Sequence, residues 1–193
     1  MTHNELRERI LAADDSLTVG DVVDPDLLEV VPEAIAQAFA DLVIAWGPDR
    51  AWGEEPILGK DTSITLGHRR GHHIAAHPEW VGYSTEDAAE ILRTEIEGTL
   101  LHELGHAIWR IAVEADKGLA AQLREAIEAD GPVTDYLGHG NAKRDAAQEQ
   151  WAEAFRWWVS AGAWTNGDEF AAHFGAWSDL VEAALDAAES WEA

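Results

Sequence analysis

Residues Leu100–Ile108 read LLHELGHAI and carry the most specific pattern in the sequence. Its two histidines, His102 and His106, are four positions apart, and residues at this separation lie on one face of an α-helix. Their imidazoles can therefore meet at one metal ion, with Glu103 directly beside them. This spacing predicts a helix that carries a metal site.

The residue types on this helix suit the chemistry of zinc. Catalytic zinc binds neutral imidazole nitrogens and keeps one position for a water molecule, whose pKa it lowers to about 7. Glu103 is placed to accept the proton of that water and to pass it to a leaving amine. The alternative interpretation is a solvated helix face whose two histidines arose by chance, in a chain with 9 His and 37 acidic residues.

The apolar residues of the same helix lie on the side opposite the histidines when about 100° is counted per residue. They are Leu100, Leu101, Leu104, Ile108 and Ile111. One face is thus predicted to be core and the other to be site. Gly98 and Gly105 are unusual inside a helix, where glycine costs about 1 kcal/mol relative to alanine. A close approach, either of a substrate or of a second helix, would explain them.

Length and composition favour a single domain that spans residues 1–193, with 47% hydrophobic residues to build its core. No basic segment precedes an apolar run at the N-terminus, and no run of about 18 apolar residues occurs. We therefore expect a cytoplasmic protein. A location in a virion and export by a non-classical route are the alternatives. The absence of cysteine means that zinc must rely on histidine and carboxylate ligands.

The formal net charge of −24 bears on the partners of the chain. Nucleic-acid binding draws most of its affinity from Lys and Arg, so this charge argues against it. The charge favours basic partners or a basic protein or peptide substrate. No membrane partner is expected, and the sequence makes no prediction about the oligomeric state.

Residues 1–60 are predicted to form a helical N-terminal part. One helix is expected over residues 4–13, and a second begins at Pro25 or Pro32. The apolar residues of this second helix are predicted to continue at helical spacing as far as Gly47-Pro48, and they are Ile35, Phe39, Leu42, Val43 and Trp46.

Residues 61–193 are predicted to contain a β-hairpin, the HExxH helix, a helix with the third metal ligand and a C-terminal helix. The alternation in Thr62–Leu66 indicates a strand, and residues 72–76 indicate its hairpin partner. An edge of such a hairpin can accept an extended peptide. The predicted fold class is α+β and predominantly helical, with a small β-hairpin or sheet before the active-site helix.

Four histidines fall within the predicted hairpin: His68, His72, His73 and His77. Alternation along a strand places His72 and His73 on opposite faces. Surface or substrate-facing positions are therefore favoured over a second metal site, and no role is assigned to the cluster.

Helical spacing continues beyond the hairpin. Ser84 is predicted to cap a long helix that runs through the HExxH stretch to Ile111. Further helices are expected over residues 118–129, 146–160 and 170–191, and Gly131-Pro132 ends the first of these three.

A catalytic zinc site needs a third protein ligand. The metzincin continuation is excluded, because Trp109 and Ala112 stand where glycine and histidine would be required. Glu149 and Glu153 are one turn apart on a later helix. One of them could bind the metal while the other orients a ligand histidine. The alternative is that both are ordinary helix carboxylates.

These motifs together resemble the gluzincin metalloproteases of the anthrax lethal factor type. The resemblance covers roughly residues 84–160 and rests on the HExxH helix, a loop with Tyr136 and Asn141, and a helix that reads EQWAEAF from Glu149. It implies a zincin-like domain in which Glu149 is the third zinc ligand and Glu153 contacts a ligand residue instead of the metal. It also implies that Tyr136 stabilises the oxyanion, and His139 in the same loop is the alternative for this role.

The same helix is also similar to that of metalloproteases that cleave phage-type repressors, which we rank second. Both resemblances imply a zinc metalloendopeptidase that hydrolyses peptide bonds with a water molecule activated by Glu103. The alternative is a zinc-binding structural or interaction protein with a zincin fold, of phage or toxin-system origin. In that case a fourth ligand such as His139 would close the site. A protein without any metal is the third possibility.

Overall fold

Eight helices and two strands make up the part of the chain that the computed structural model describes, which is residues 2–12, 14–47, 55–67, 85–134, 142–164, 170 and 172–192. The elements in chain order are α1 (His3–Leu11), α2 (Val19–Val22), α3 (Pro25–Leu28), α4 (Glu33–Ala40), β1 (Val43–Gly47), β2 (Ser63–Gly67), α5 (Thr85–Ala115), α6 (Leu119–Asp130), α7 (Ala142–Trp164) and α8 (Gly175–Ala188). The prediction of a predominantly helical fold with a small sheet is confirmed. No helix among these residues combines the length and the apolar character that a membrane crossing requires.

The residues divide into two compact units. The N-terminal unit comprises Met1–Pro25 and Gln37–Leu100, and the C-terminal unit comprises Asp26–Ala36 and Leu101–Ala193. Helix α5 supplies residues 85–100 to the first unit and residues 101–115 to the second. This division rests on the contacts within each unit and does not test whether the units form one domain. The expectation of one domain over residues 1–193 therefore stays a prediction.

The N-terminal unit is built around the two-stranded sheet. Ile44 and Ile64 stand opposite each other in the parallel pairing of β1 with β2, and both are almost fully buried. The backbone N–H of Ile44 also donates to Leu17 O at 2.7 Å. The sheet is thereby attached to the segment that connects α1 and α2.

The prediction that the second N-terminal helix continues to Gly47 is wrong, because this helix ends at Ala40 and Val43–Gly47 is strand β1. The apolar spacing from Ile35 to Trp46 fits a helix, and for this reason the whole segment was predicted to be helical. The adjacent β-branched pair Val43-Ile44 favours a strand instead. Strand pairing then satisfies the backbone of this segment, where Val43 N donates to Thr62 O at 3.0 Å.

The strand predicted at Thr62–Leu66 is confirmed as β2, and its observed partner is β1. The second strand of the predicted hairpin, residues 72–76, lies outside the described residues. The same holds for the helix cap Ser84 and for the histidine cluster of His68, His72, His73 and His77. The hairpin and the role of these histidines therefore stay predictions.

The C-terminal unit is a set of packed helices. Asp130, at the end of α6, accepts from the backbone N–H of Ala176 at 2.7 Å and so satisfies the first turn of α8. The indole N–H of Trp177 donates to Gly131 O at 2.9 Å. Gly131 has φ +75°, a conformation that favours glycine, and it ends α6 where the sequence predicted.

Candidate metal centre

Helices α5 and α7 approach each other closely at Gly105. A Cβ atom at this position would lie 3.1 Å from Ala152 Cα and 3.1 Å from Phe155 Cδ1. The indole N–H of Trp151 donates to Gly105 O at 2.8 Å. This contact explains Gly105 by helix packing, and it brings the histidines of α5 next to the carboxylates of α7.

Three side chains of this contact point to one place. Nε2 of His102 lies 3.1 Å from Nε2 of His106. Oε2 of Glu149 lies 3.3 Å from the first nitrogen and 3.7 Å from the second. The cluster is largely withdrawn from solvent, since the three side chains are only 10–20% exposed. These three residues could hold a metal ion.

Glu153 lies on the other side of the His102 ring. Its Oε1 atom is 2.7 Å from Nδ1 of His102, and both side chains are buried. A carboxylate can only accept, so Nδ1 donates and Nε2 is turned toward His106 and Glu149. The structure thus separates the two glutamates of α7: Glu149 lies at the cluster and Glu153 behind the ring. The role of Glu149 as a ligand stays a prediction.

The histidines and glutamates of the cluster stabilise each other's charged forms. Burial disfavours the charged form of His102, but hydrogen bonds to Glu149 and Glu153 outweigh it and raise the pKa of His102 to about 9. Hydrogen bonds from His102 and His106 lower the pKa of Glu149 to about 2. Without a metal ion, a proton on His102 therefore balances part of the negative charge at pH 7. A cation bound at the cluster would replace this proton.

Glu103, the predicted general base, follows His102 on α5 and is buried, with 6% of its surface exposed. Its negative charge contributes to the raised pKa of His102. Tyr136 and His139, the two candidates for support of the oxyanion, lie outside the described residues. The catalytic roles of Glu103 and Tyr136 stay predictions.

Sequence reasoning missed Arg156. Its Nη2 atom donates to Oε2 of Glu153 at 2.8 Å. The separation of three positions on a helix was the available signal. This signal is weak, because most such pairs are solvated surface contacts, and the sequence does not show that Glu153 is buried.

Gln150 was also missed. Its side chain pairs with the backbone of Thr134, accepting from the N–H at 3.2 Å and donating to the carbonyl at 2.9 Å. Gln150 is buried and adjacent to Glu149, so α7 is tied to the segment that follows α6. No pattern in the sequence indicates this contact.

Comparison of the chain with protein-family models, with curated proteins and with solved structures gave no match.

Proposed function

We propose that this protein is a zinc-dependent metallopeptidase in which His102, His106 and Glu149 bind the metal. The observation that carries the proposal is the triangle of donor atoms, with edges of 3.1, 3.3 and 3.7 Å. Ligand atoms placed tetrahedrally around zinc at its usual bond lengths are separated by about 3.3 Å. The three atoms therefore need to move by only a few tenths of an ångström to surround the ion.

The donor set supports zinc among the common metal ions. Calcium and magnesium prefer ligand sets made of oxygen, whereas this site offers two imidazole nitrogens and one carboxylate oxygen. Three protein ligands are also the number found in catalytic zinc sites, which leave the fourth position to water or substrate. Iron(II) accepts the same donors. Glu103 favours zinc, because a carboxylate next to the first histidine serves as the base of HExxH hydrolases.

Glu103 is the group that moves the proton. It takes a proton from the attacking water while the water oxygen bonds to the peptide carbonyl carbon. It then gives this proton to the amine nitrogen as the carbon–nitrogen bond breaks. A bound zinc ion supplies Lewis acidity at the carbonyl and makes water a nucleophile at neutral pH. Glu103 is only 6% exposed, so little bulk solvent surrounds it.

The oxyanion that forms on the carbonyl needs a hydrogen-bond donor, and we assign this role to Tyr136, with His139 as the alternative. A donor aimed at this charge typically contributes about 3 kcal/mol to the stabilisation of the transition state. The net charge of −24 favours peptides with basic residues as substrates.

The test is peptide hydrolysis by the zinc-loaded chain and by Glu103→Gln. A library of fluorescence-quenched peptides rich in Lys and Arg serves as the substrate. Glu114→Gln is the matched control, since it makes the same change at an exposed position of the same helix. We expect Glu103→Gln to bind zinc and to lose hydrolysis, while Glu114→Gln cuts like the parent.

Hydrolysis by Glu103→Gln at the rate of the parent would remove Glu103 from the reaction. A parent chain that binds zinc and cuts none of the peptides would favour the alternative of a zinc-stabilised structural or interaction protein.

A further inference from the structure

We infer that Arg156 is a positioning residue of the metal centre, acting on His102 through Glu153. The inference rests on the proposed zinc site and adds a residue to it. Arg156 Nη2 lies 2.8 Å from Glu153 Oε2, and Oε1 of the same carboxylate lies 2.7 Å from His102 Nδ1. Each oxygen of Glu153 therefore has its own partner, and the chain of contacts ends at the nitrogen that faces His106 and Glu149.

A carboxylate that made only one of these two contacts could still rotate about its terminal bond. A charge-assisted hydrogen bond from Arg156 Nη2 to Oε2, together with the bond of Oε1 to His102, restrains this rotation. With Oε2 held by Arg156, Oε1 keeps its direction toward His102 and the imidazole keeps its orientation. The position of His102 Nε2 is thereby set before a metal ion arrives.

Charge gives a second reason for the contact. The side chain of Glu153 is only 6% exposed, and a buried carboxylate is costly unless a positive charge or several hydrogen bonds compensate it. A zinc ion at the cluster would neutralise Glu149, which lies next to it. Glu153 lies behind the His102 ring, where Oε1 accepts from Nδ1–H, and Arg156 supplies a positive charge at the other oxygen, Oε2.

The spacing of three residues along α7 explains why the proposed ligand and the two residues that position His102 lie close together. Glu149, Glu153 and Arg156 are separated by four and then three positions, which places them within about 60° of arc on α7. One stripe of the helix thus carries the proposed ligand, the residue that orients His102, and the residue that holds the orienting carboxylate. The guanidinium also lies 5.6 Å from the ring of Trp157, which limits where its stem can turn.

The competing explanation is an ordinary surface ion pair, because the side chain of Arg156 is 32% exposed. Such pairs contribute little and would leave the metal site unchanged when they are removed. Metal affinity separates the two explanations, since loss of a residue that orients a ligand typically weakens metal binding about 10- to 100-fold.

The experiment measures the zinc affinity of the full chain by competition with a chromophoric chelator for the parent, Arg156→Met and Arg156→Lys. Arg124→Met is the matched control, because Arg124 is exposed on α6. The Nδ1–H resonance of His102 in the zinc-loaded protein, observed by NMR, reports the ring contact directly. Circular dichroism of each metal-free variant shows whether the chain is folded.

We expect Arg156→Met to weaken zinc binding by about tenfold and to shift or broaden the His102 Nδ1–H resonance. Arg156→Lys keeps a positive charge that can donate one hydrogen bond, so the loss should stay below about threefold. Arg124→Met should match the parent within about twofold. If Arg156→Met is folded and has the affinity and the resonance of the parent, Arg156 has no positioning role.

The outcomes also separate this inference from the proposed reaction. A parent chain that binds zinc, responds to Arg156→Met and cuts no peptide would remove the peptidase function and keep the role of Arg156. A parent chain that takes up no zinc would overturn both.

Discussion

The Oε1 atom of Glu153 lies 2.7 Å from Nδ1 of His102, although the two residues are 51 positions apart in the chain. The contact of α5 with α7 at Gly105 makes this approach possible. It assigns different positions to two glutamates that are equivalent in a helical projection. Several measurable consequences follow from this arrangement.

Glu153→Gln should weaken zinc binding by about 10- to 100-fold. The substitution removes the negative charge that accepts from the Nδ1–H of His102 and pairs with Arg156. The measurement is a competition titration with a zinc chelator. Glu182→Gln, at an exposed position of α8, is the control and should bind zinc like the parent. Equal affinities for the two variants would show that Glu153 does not orient the ligand.

Zinc binding should tighten as the pH rises from 7 to 9. The pKa of His102 in the metal-free chain is raised to about 9, so a proton must leave before Nε2 can bind a cation. One proton released on binding corresponds to about a tenfold gain in affinity per pH unit below this pKa. Titration calorimetry in buffers of different ionisation enthalpy counts the protons released. A count of zero at pH 7.5 would contradict the raised pKa.

The metal-free chain should show the opposite trend in stability. Because the folded-state pKa of His102 lies above its ordinary value of 6.5, this group stabilises the fold fully below pH 6.5. The contribution is lost as the pH rises through about 9. Urea unfolding between pH 6 and pH 9.5 measures the trend, with His102→Gln as the control that should lack this component. Identical pH profiles for parent and variant would rule the contribution out.

Gly105→Ala should destabilise the fold despite the better helix propensity of alanine. The new methyl group would lie 3.1 Å from backbone of α7 at Ala152, and overpacking of this kind costs about 1–3 kcal/mol. Helix propensity returns about 1 kcal/mol, so we expect a net loss of about 1 kcal/mol in urea unfolding. Gly175→Ala is the control, since nothing lies within 4 Å of its new methyl group. A stabilised Gly105→Ala variant would mean that the helices are less closely packed.

Gln150→Leu should lower the free energy of unfolding by about 1–3 kcal/mol, because the N–H and carbonyl of Thr134 lose their side-chain partner. Thermal unfolding measures this loss. Gln122→Leu makes the same substitution at an exposed position of α6 and should stay close to the parent. A loss no larger than that of the control would show that solvent replaces the Gln150 contacts.

The sequence was informative wherever a helical repeat combined with chemically specific residues. The spacing of His102 and His106 placed both on one helix face, and that of Glu149 and Glu153 placed both on a face of a later helix. The residues of the site could therefore be predicted. The helical repeat alone could not decide which glutamate faces the cluster, because both occupy the same stripe of α7, and only the family resemblance implied that it is Glu149. That choice depends on how α7 packs against α5 at Gly105, and packing is not visible in a repeat.

The sequence failed where one pattern fits two structures. The apolar positions from Ile35 to Trp46 satisfy a helical repeat, yet the chain leaves the helix at Ala40 and continues as β1. Pairing with β2 decides this outcome, and the partner strand is about 20 positions away in the chain. Arg156 was missed for a related reason, since its importance comes from the burial of Glu153.

The metal content of the untagged chain, measured by elemental mass spectrometry beside that of Glu149→Ala, tests whether the proposed zinc site exists. We expect about one zinc per parent chain and a much lower content in the variant, because the variant lacks one of three protein ligands. A parent chain without zinc, even after reconstitution, would contradict the proposed metal centre. An unchanged zinc content in Glu149→Ala would contradict the assignment of Glu149 as the third ligand.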